Sequence, residues 1–154
     1  MSVWGIGERD WDDPAGAALR AAQEAELDAR YGAAGHEPGT RPSAADIDVF
    51  LVATLNGAPV GCGALRRLDD ISAEVKRMYV RPDHRRMRIG KLILEALEDA
   101  ARDHGWAVLR LETGVEQPEA RRLYERAGYR EIPPFGPYVG SELSVCYERD
   151  LTAG

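Results

Sequence analysis

The chain has few of the residues that build metal centres or disulfide frameworks. Its 154 residues include two cysteines, Cys62 and Cys146, and three histidines, His36, His84 and His104. The cysteines form neither a CxxC nor a metal-ligand spacing, and the histidines are scattered, so no metal is expected. Two isolated thiols suit a reducing compartment. No apolar run approaches the roughly 18 residues that a membrane span needs. Met1-Ser2-Val3-Trp4-Gly5 lacks the basic and apolar regions of a secretory leader. These absences predict a cytoplasmic protein with no membrane partner. An overall basic charge is also missing: the net charge is −6, and residues 1–50 carry ten acids against four bases. Nucleic-acid binding usually needs a basic domain, so no nucleic-acid partner is expected.

What is present fits one globular domain over residues 1–154, long enough to bury a core. Residues 14–31 read as a helix, with Pro14 in its first turn and Ala, Leu, Gln, Glu and Arg after it. Residues 32–42 read as loop. Strands follow over 48–55, 59–68 and 72–80, the first two joined by Asn56-Gly57, a strong hairpin signal. Residues 89–103 are helical, with Ile89, Ile93, Leu97 and Ala100 on one face and the acids mostly on the others; Gly105 is the stop. A strand over 107–113, a short helix over 118–126 ended by Gly128, and strands over 129–132 and 143–149 complete the order. Strand, helix and strand in succession imply a right-handed crossover and local parallel pairing. The expected class is α+β, a mixed sheet with helices packed on it.

One segment stands out chemically. Arg85-Arg86-Met87-Arg88-Ile89-Gly90 leaves a strand and opens a helix, and seven bases face one acid between Lys76 and Lys91. A helix N-terminus carries partial positive charge and unpaired N–H groups, so such a turn favours an anion.

This segment resembles the Arg/Gln-x-x-Gly-x-Gly/Ala signature of the GCN5-related N-acetyltransferase (GNAT) superfamily. Arg88 stands where the middle glycine belongs, and Gly90 fits the last position. Ala120-Arg121-Arg122-Leu123-Tyr124-Glu125-Arg126-Ala127-Gly128-Tyr129 resembles the family's A-x-x-LYE-x-x-G-(F/Y) block, and Gln117 stands where the family often has asparagine. The likeness covers residues 47–150 well and 14–31 loosely. It implies the GNAT fold: a three-layer arrangement, antiparallel strands 1–4, parallel pairing of strands 4 and 5, and helices on both faces.

The resemblance also implies acetyl-coenzyme A as cosubstrate. Its diphosphate would meet Arg85, Arg86, Met87, Arg88, Ile89 and Gly90. Backbone groups of Met78, Tyr79 and Val80 would meet the acetyl and pantetheine portions, with Gln117 and Tyr124 beside them. Tyr124 would act as general acid to the leaving thiolate, since a phenol of pKa about 10 can donate. Glu74 would act as general base, with Glu112 the second candidate and ordered water a third option. A packing tyrosine is the less favoured reading of Tyr124 in its motif context, a merely solvated basic turn is the less favoured reading beside the second motif, and a solvated strand end is an equal alternative for Glu74. Glu24, Tyr31 and the loop Phe135 to Tyr138 are expected around the acceptor, where acids would favour a cationic amine. The expected reaction is direct transfer to the primary amine of a small molecule in a ternary complex. Alternatives are a protein or peptide amine, or a coenzyme A sensor without catalysis. Family members are often homodimers.

Overall fold

The structure, a computed structural model, describes residues 2–32 and 41–152. Most of the loop expected over 32–42 lies outside the described residues. The elements run β1 (Trp4–Glu8), α1 (Pro14–Tyr31), β2 (Val49–Leu55), β3 (Ala58–Arg67), β4 (Ser72–Val80), α2 (Ile89–Asp103), β5 (Val108–Gly114), α3 (Pro118–Arg126), β6 (Arg130–Ile132) and β7 (Ser144–Asp150). All three helices match the sequence reading end to end, because each carries its own stop and start signals. For α1 these are Pro14 at the start, Asp13 accepting from the Gly16 N–H at 3.2 Å, and Gly32 in the left-handed region after its end.

Seven strands form one sheet in the order β1-β2-β3-β4-β5-β7-β6. β1 to β4 are antiparallel neighbours, β4 and β5 are parallel, and β7 returns antiparallel between β5 and β6. β1 is an addition to the strands read from the residues. Its sequence, Trp-Gly-Ile-Gly-Glu, is exposed throughout and rich in glycine, so neither propensity nor patterning marks it.

Both faces of the sheet are covered. Val49, Leu51 and Ala53 of β2 pack with α2 and α3 in the larger core, together with Ile93, Leu97 and Leu109. Phe50 and Val52 point the other way, to Leu19 of α1, Cys62 and Tyr79. A central strand buried on both faces is what a three-layer fold requires. Gly16 lets α1 come this close: a Cβ there would lie 2.3 Å from the Phe50 ring.

One assignment of the helical faces is corrected. Glu98 of α2, read as part of the polar face, is buried. It accepts from the Tyr129 hydroxyl at 2.9 Å and from Arg149 at 2.7 Å, so α2 is tied to β7 by a satisfied buried acid. No helix among the described residues is long and apolar enough to cross a membrane.

Candidate active site

β4 and β5 pair over only four residues, from Ser72 with Val108 to Val75 with Leu111. Beyond that point they part. β5 continues along β7 through Glu112, Thr113 and Gly114. β4 bends away through a bulge: Ala64 pairs with Lys76 and Cys62 with Tyr79, leaving Arg77 and Met78 opposite Gly63 alone. Arg77 takes φ 58°, a left-handed conformation that re-aims the strand.

A cavity occupies the gap. Val75 to Met78 form one wall and Glu112 to Gly114 the other; Gln23, Leu27 and Tyr31 of α1 lie over it, with Gln117, Ala120 and Tyr124 at the α3 side. Two contacts hold α1 there. Gln23 donates from Nε2 to the Met78 carbonyl at 2.9 Å, and the Tyr31 hydroxyl accepts from the Glu116 N–H at 3.2 Å. Gly114 makes room for Tyr31, because a Cβ at that position would sit 1.6 Å from the hydroxyl oxygen.

Tyr124 is 5% exposed and lines this cavity. Burial, and then the charge of Glu112, push its phenol above the ordinary value of 10, so it stays protonated near neutrality. Glu112 lines the opposite wall and accepts from the Ser144 hydroxyl at 2.7 Å.

Glu74 lies elsewhere. It is 2% exposed and does not line the cavity. Its carboxylate accepts from the Tyr138 hydroxyl and from Arg66 at 3.2 Å, and Lys76 Nζ is 3.7 Å away. Arg66 in turn reaches Asp46 at 3.0 Å. Tyr138, read from sequence as part of the acceptor wall, is instead fully buried, and Lys76 donates to its hydroxyl at 2.9 Å. Lys76 is the cavity-lining member of this network. Its place two residues after Glu74 on one strand was the available signal, since i and i+2 share a face. Glu24 borders a second depression and pairs with Arg41 and with Arg77, the latter at 3.6 Å.

The basic turn leads into α2. Arg85 is anchored by the Glu26 carboxylate at 2.8 and 3.0 Å and by the Val80 carbonyl at 3.0 Å. Arg86 and Arg88 both have positive φ, 71° and 62°. Arg88 thus holds the backbone shape that glycine would supply, and the exposed side chain does not block it. No side chain caps the first turn of α2, whose leading N–H groups stay available to a ligand. Gly90 packs against α3, where a Cβ would lie 3.3 Å from Leu123. Met78 lines the cavity, Tyr79 is buried in the core on the α1 side, Val80 is half-buried, Met87 is exposed and Ile89 is buried.

Residues 16–129 match the Acetyltransferase (GNAT) family. The chain belongs to that family. It is 45% identical over 103 residues to an IAA acetyltransferase of Azospirillum brasilense, covering 66% of this chain and 67% of that protein. Across the curated relatives it matches, the chain spans about two fifths to two thirds of their length. An acyl-CoA N-acyltransferase candidate from Klebsiella pneumoniae subsp. pneumoniae MGH 78578 superposes with a TM-score of 0.83 at 33% identity, covering 97% of this chain and 98% of that one. A GNAT family acetyltransferase from Elizabethkingia anophelis, solved with acetyl-CoA bound, shares the fold at a TM-score of 0.70 and 17% identity, covering 96% and 97% of the two chains.

Proposed function

We propose that this GNAT member transfers the acetyl group of acetyl-coenzyme A to the primary amine of a small molecule. The carrying observation is the cleft between β4 and β5, with Tyr124 and Glu112 on its walls, and the uncapped start of α2 packed against α3, which borders that cleft. The backbone N–H groups from Arg86 to Gly90 receive the diphosphate, with the exposed arginines adding charge. Pantetheine lies between the parted strands along Met78 to Val80, with Gln117 beside it. That the fold is shared with a protein holding acetyl-CoA supports this placement.

The step is direct. The neutral amine attacks the thioester carbonyl, a C–N bond forms and the C–S bond breaks. The amine proton leaves to a base, and the coenzyme A thiolate takes a proton from Tyr124. Two carboxylates compete for the role of base. Glu112 is on the cavity wall, whereas Glu74 is held behind Tyr138 by Arg66 and Lys76, so the geometry favours Glu112 as the contact and leaves Glu74 to act only through its neighbours. A covalent acetyl-cysteine route finds no support. Burial pushes the Cys62 thiol up to about 12 and raises that of Cys146, so neither is a thiolate at neutral pH. The roof that α1 lays over the cleft supports a small acceptor over a protein tail.

Acetyl-coenzyme A should raise the melting temperature, and free thiol should appear when an amine panel is added. Tyr124→Phe should lower kcat about 10²-fold, in the range typical of a lost general acid, while the cofactor still raises the melting temperature. Unchanged turnover in that variant removes Tyr124 as the acid. No melting shift in the unaltered protein removes the whole reading.

A further inference from the structure

The cavity wall has an uneven charge. Two cations line it, Lys76 and Arg77, against one acid, Glu112. Lys76 is 6% exposed and the Arg77 side chain 8%. Each has a carboxylate partner, Glu74 at 3.7 Å and Glu24 at 3.6 Å, and neither partner lines the cavity. The cations belong to β4 and the acid to β5, so the two signs sit on opposite walls.

Lys76 is also held in place. Its Nζ donates to the Tyr138 hydroxyl, which donates to Glu74, which accepts from Arg66. A lysine side chain carries large rotamer freedom, and burying its polar end is costly unless that end is hydrogen-bonded. This network supplies both the partners and the rigidity. Arg77 borders the second depression as well, alongside Arg20, Arg41 and the acid Glu24. Arg20 is itself fixed, stacked 3.7 Å over Trp11 and donating to the Trp11 carbonyl at 2.7 Å.

In a cleft of low dielectric, a cationic wall attracts an anionic group and disfavours a second cation on the substrate. We infer that the acceptor is an amine that also carries a carboxylate, with the carboxylate against Lys76 and Arg77 and the amine toward Glu112. This reverses the expectation from the acidic N-terminal third, none of whose described acids lines the cavity. It rests on the acetyl-transfer reading above and names the substrate class for that same site. Transfer remains balanced as written there: the amine nitrogen gains the acetyl group and loses a proton, and the carboxylate takes no part in bond-making.

The test uses matched pairs that differ only in the carboxylate: each of a set of amino acids beside the amine left by its decarboxylation. Acetyl-coenzyme A is kept saturating and thiol release is followed. The amino acid of at least one pair should exceed its amine by tenfold or more in kcat/KM. Arg77→Asn removes the charge while keeping a residue that tolerates the left-handed backbone, and it should shrink that ratio severalfold, mainly through KM. Lys76→Met should shrink it further, and Lys76→Arg should restore part of it. Preference for the amines, turnover of neither member of any pair, or a ratio unmoved in Arg77→Asn overturns the inference. The melting shift with acetyl-coenzyme A is read in parallel, so a failure of acetyl transfer itself is seen separately.

Discussion

Glu112 and Glu74 are both acids on strands beside the same cleft, yet their surroundings differ. Glu74 accepts from Tyr138 and Arg66, and its loss would leave buried donors without an acceptor. Glu112 lines the cavity and accepts from the Ser144 hydroxyl. Glu112→Gln should therefore lower kcat/KM at least 10-fold and flatten its acid limb, with little change in melting temperature. Glu74→Gln should lower the melting temperature by several degrees, while its acid limb is retained. Kinetics across pH with paired thermal melts separate the two. Retention of the acid limb in Glu112→Gln removes it as the base. Sequence placed both acids near the cleft; it could not say which one a lysine and a tyrosine from far along the chain would enclose. Lys76 and Tyr138 are 62 residues apart, and Tyr138 and Glu74 are 64.

Four elements, α1, β4, β5 and α3, meet at the cleft, and small local features there and at the nearby start of α2 set their geometry. Arg88 precedes the first turn of α2 with φ 62° and ψ 20°, a conformation that costs a non-glycine residue about 1 kcal/mol. Glycine there would relieve that strain but free the unfolded chain, so the two effects nearly cancel. Arg88→Gly should shift the melting temperature by no more than a few degrees. It should weaken acetyl-coenzyme A less than threefold if backbone N–H groups carry the diphosphate. A loss of 10-fold or more in a calorimetric titration would assign the binding to the guanidinium instead. At the other end of the cleft, α1 reaches β5 through Tyr31 above Gly114. Gly114→Ala should push Tyr31 aside, raise the acceptor KM severalfold and leave the acetyl-coenzyme A affinity near its original value. The element boundaries were legible because proline starts, glycine stops and the Asn56-Gly57 turn are local signals. The bulge at Arg77 was not, because it depends on which residues of β3 lie opposite.

The molecule as a whole buries Cys62 between the sheet and α1, at 0% exposure. Its thiol rises from an ordinary 9.0 to about 12, chiefly through burial. The sign follows from proton binding. Below pH 9 the thiol is protonated in both states and stability is unaffected. Between pH 9 and about 12 the unfolded chain loses this proton while the folded one keeps it, so stability falls with rising pH. The loss approaches about 1.4 kcal/mol per pH unit for one such group. Denaturant unfolding of Cys62→Ala should start from a lower stability and show a shallower alkaline decline; an equal slope would place the alkaline loss elsewhere.

The amino-acid order alone determined the three helices, six of the seven strands, the parallel step from β4 to β5 and the acetyltransferase family. These rest on periodicity, turn chemistry and short motifs, which act over a few residues. Tertiary structure decided the rest. It inserted β7 between β5 and β6, added β1 at the sheet edge, buried Glu98, and closed Tyr138 over Glu74. It also placed Lys76 and Arg77 among the residues lining the cleft and left Glu24 outside them. Each of these depends on partners distant in sequence, and a burial cost or a bridging hydrogen bond exists only once the sheet has brought those partners together.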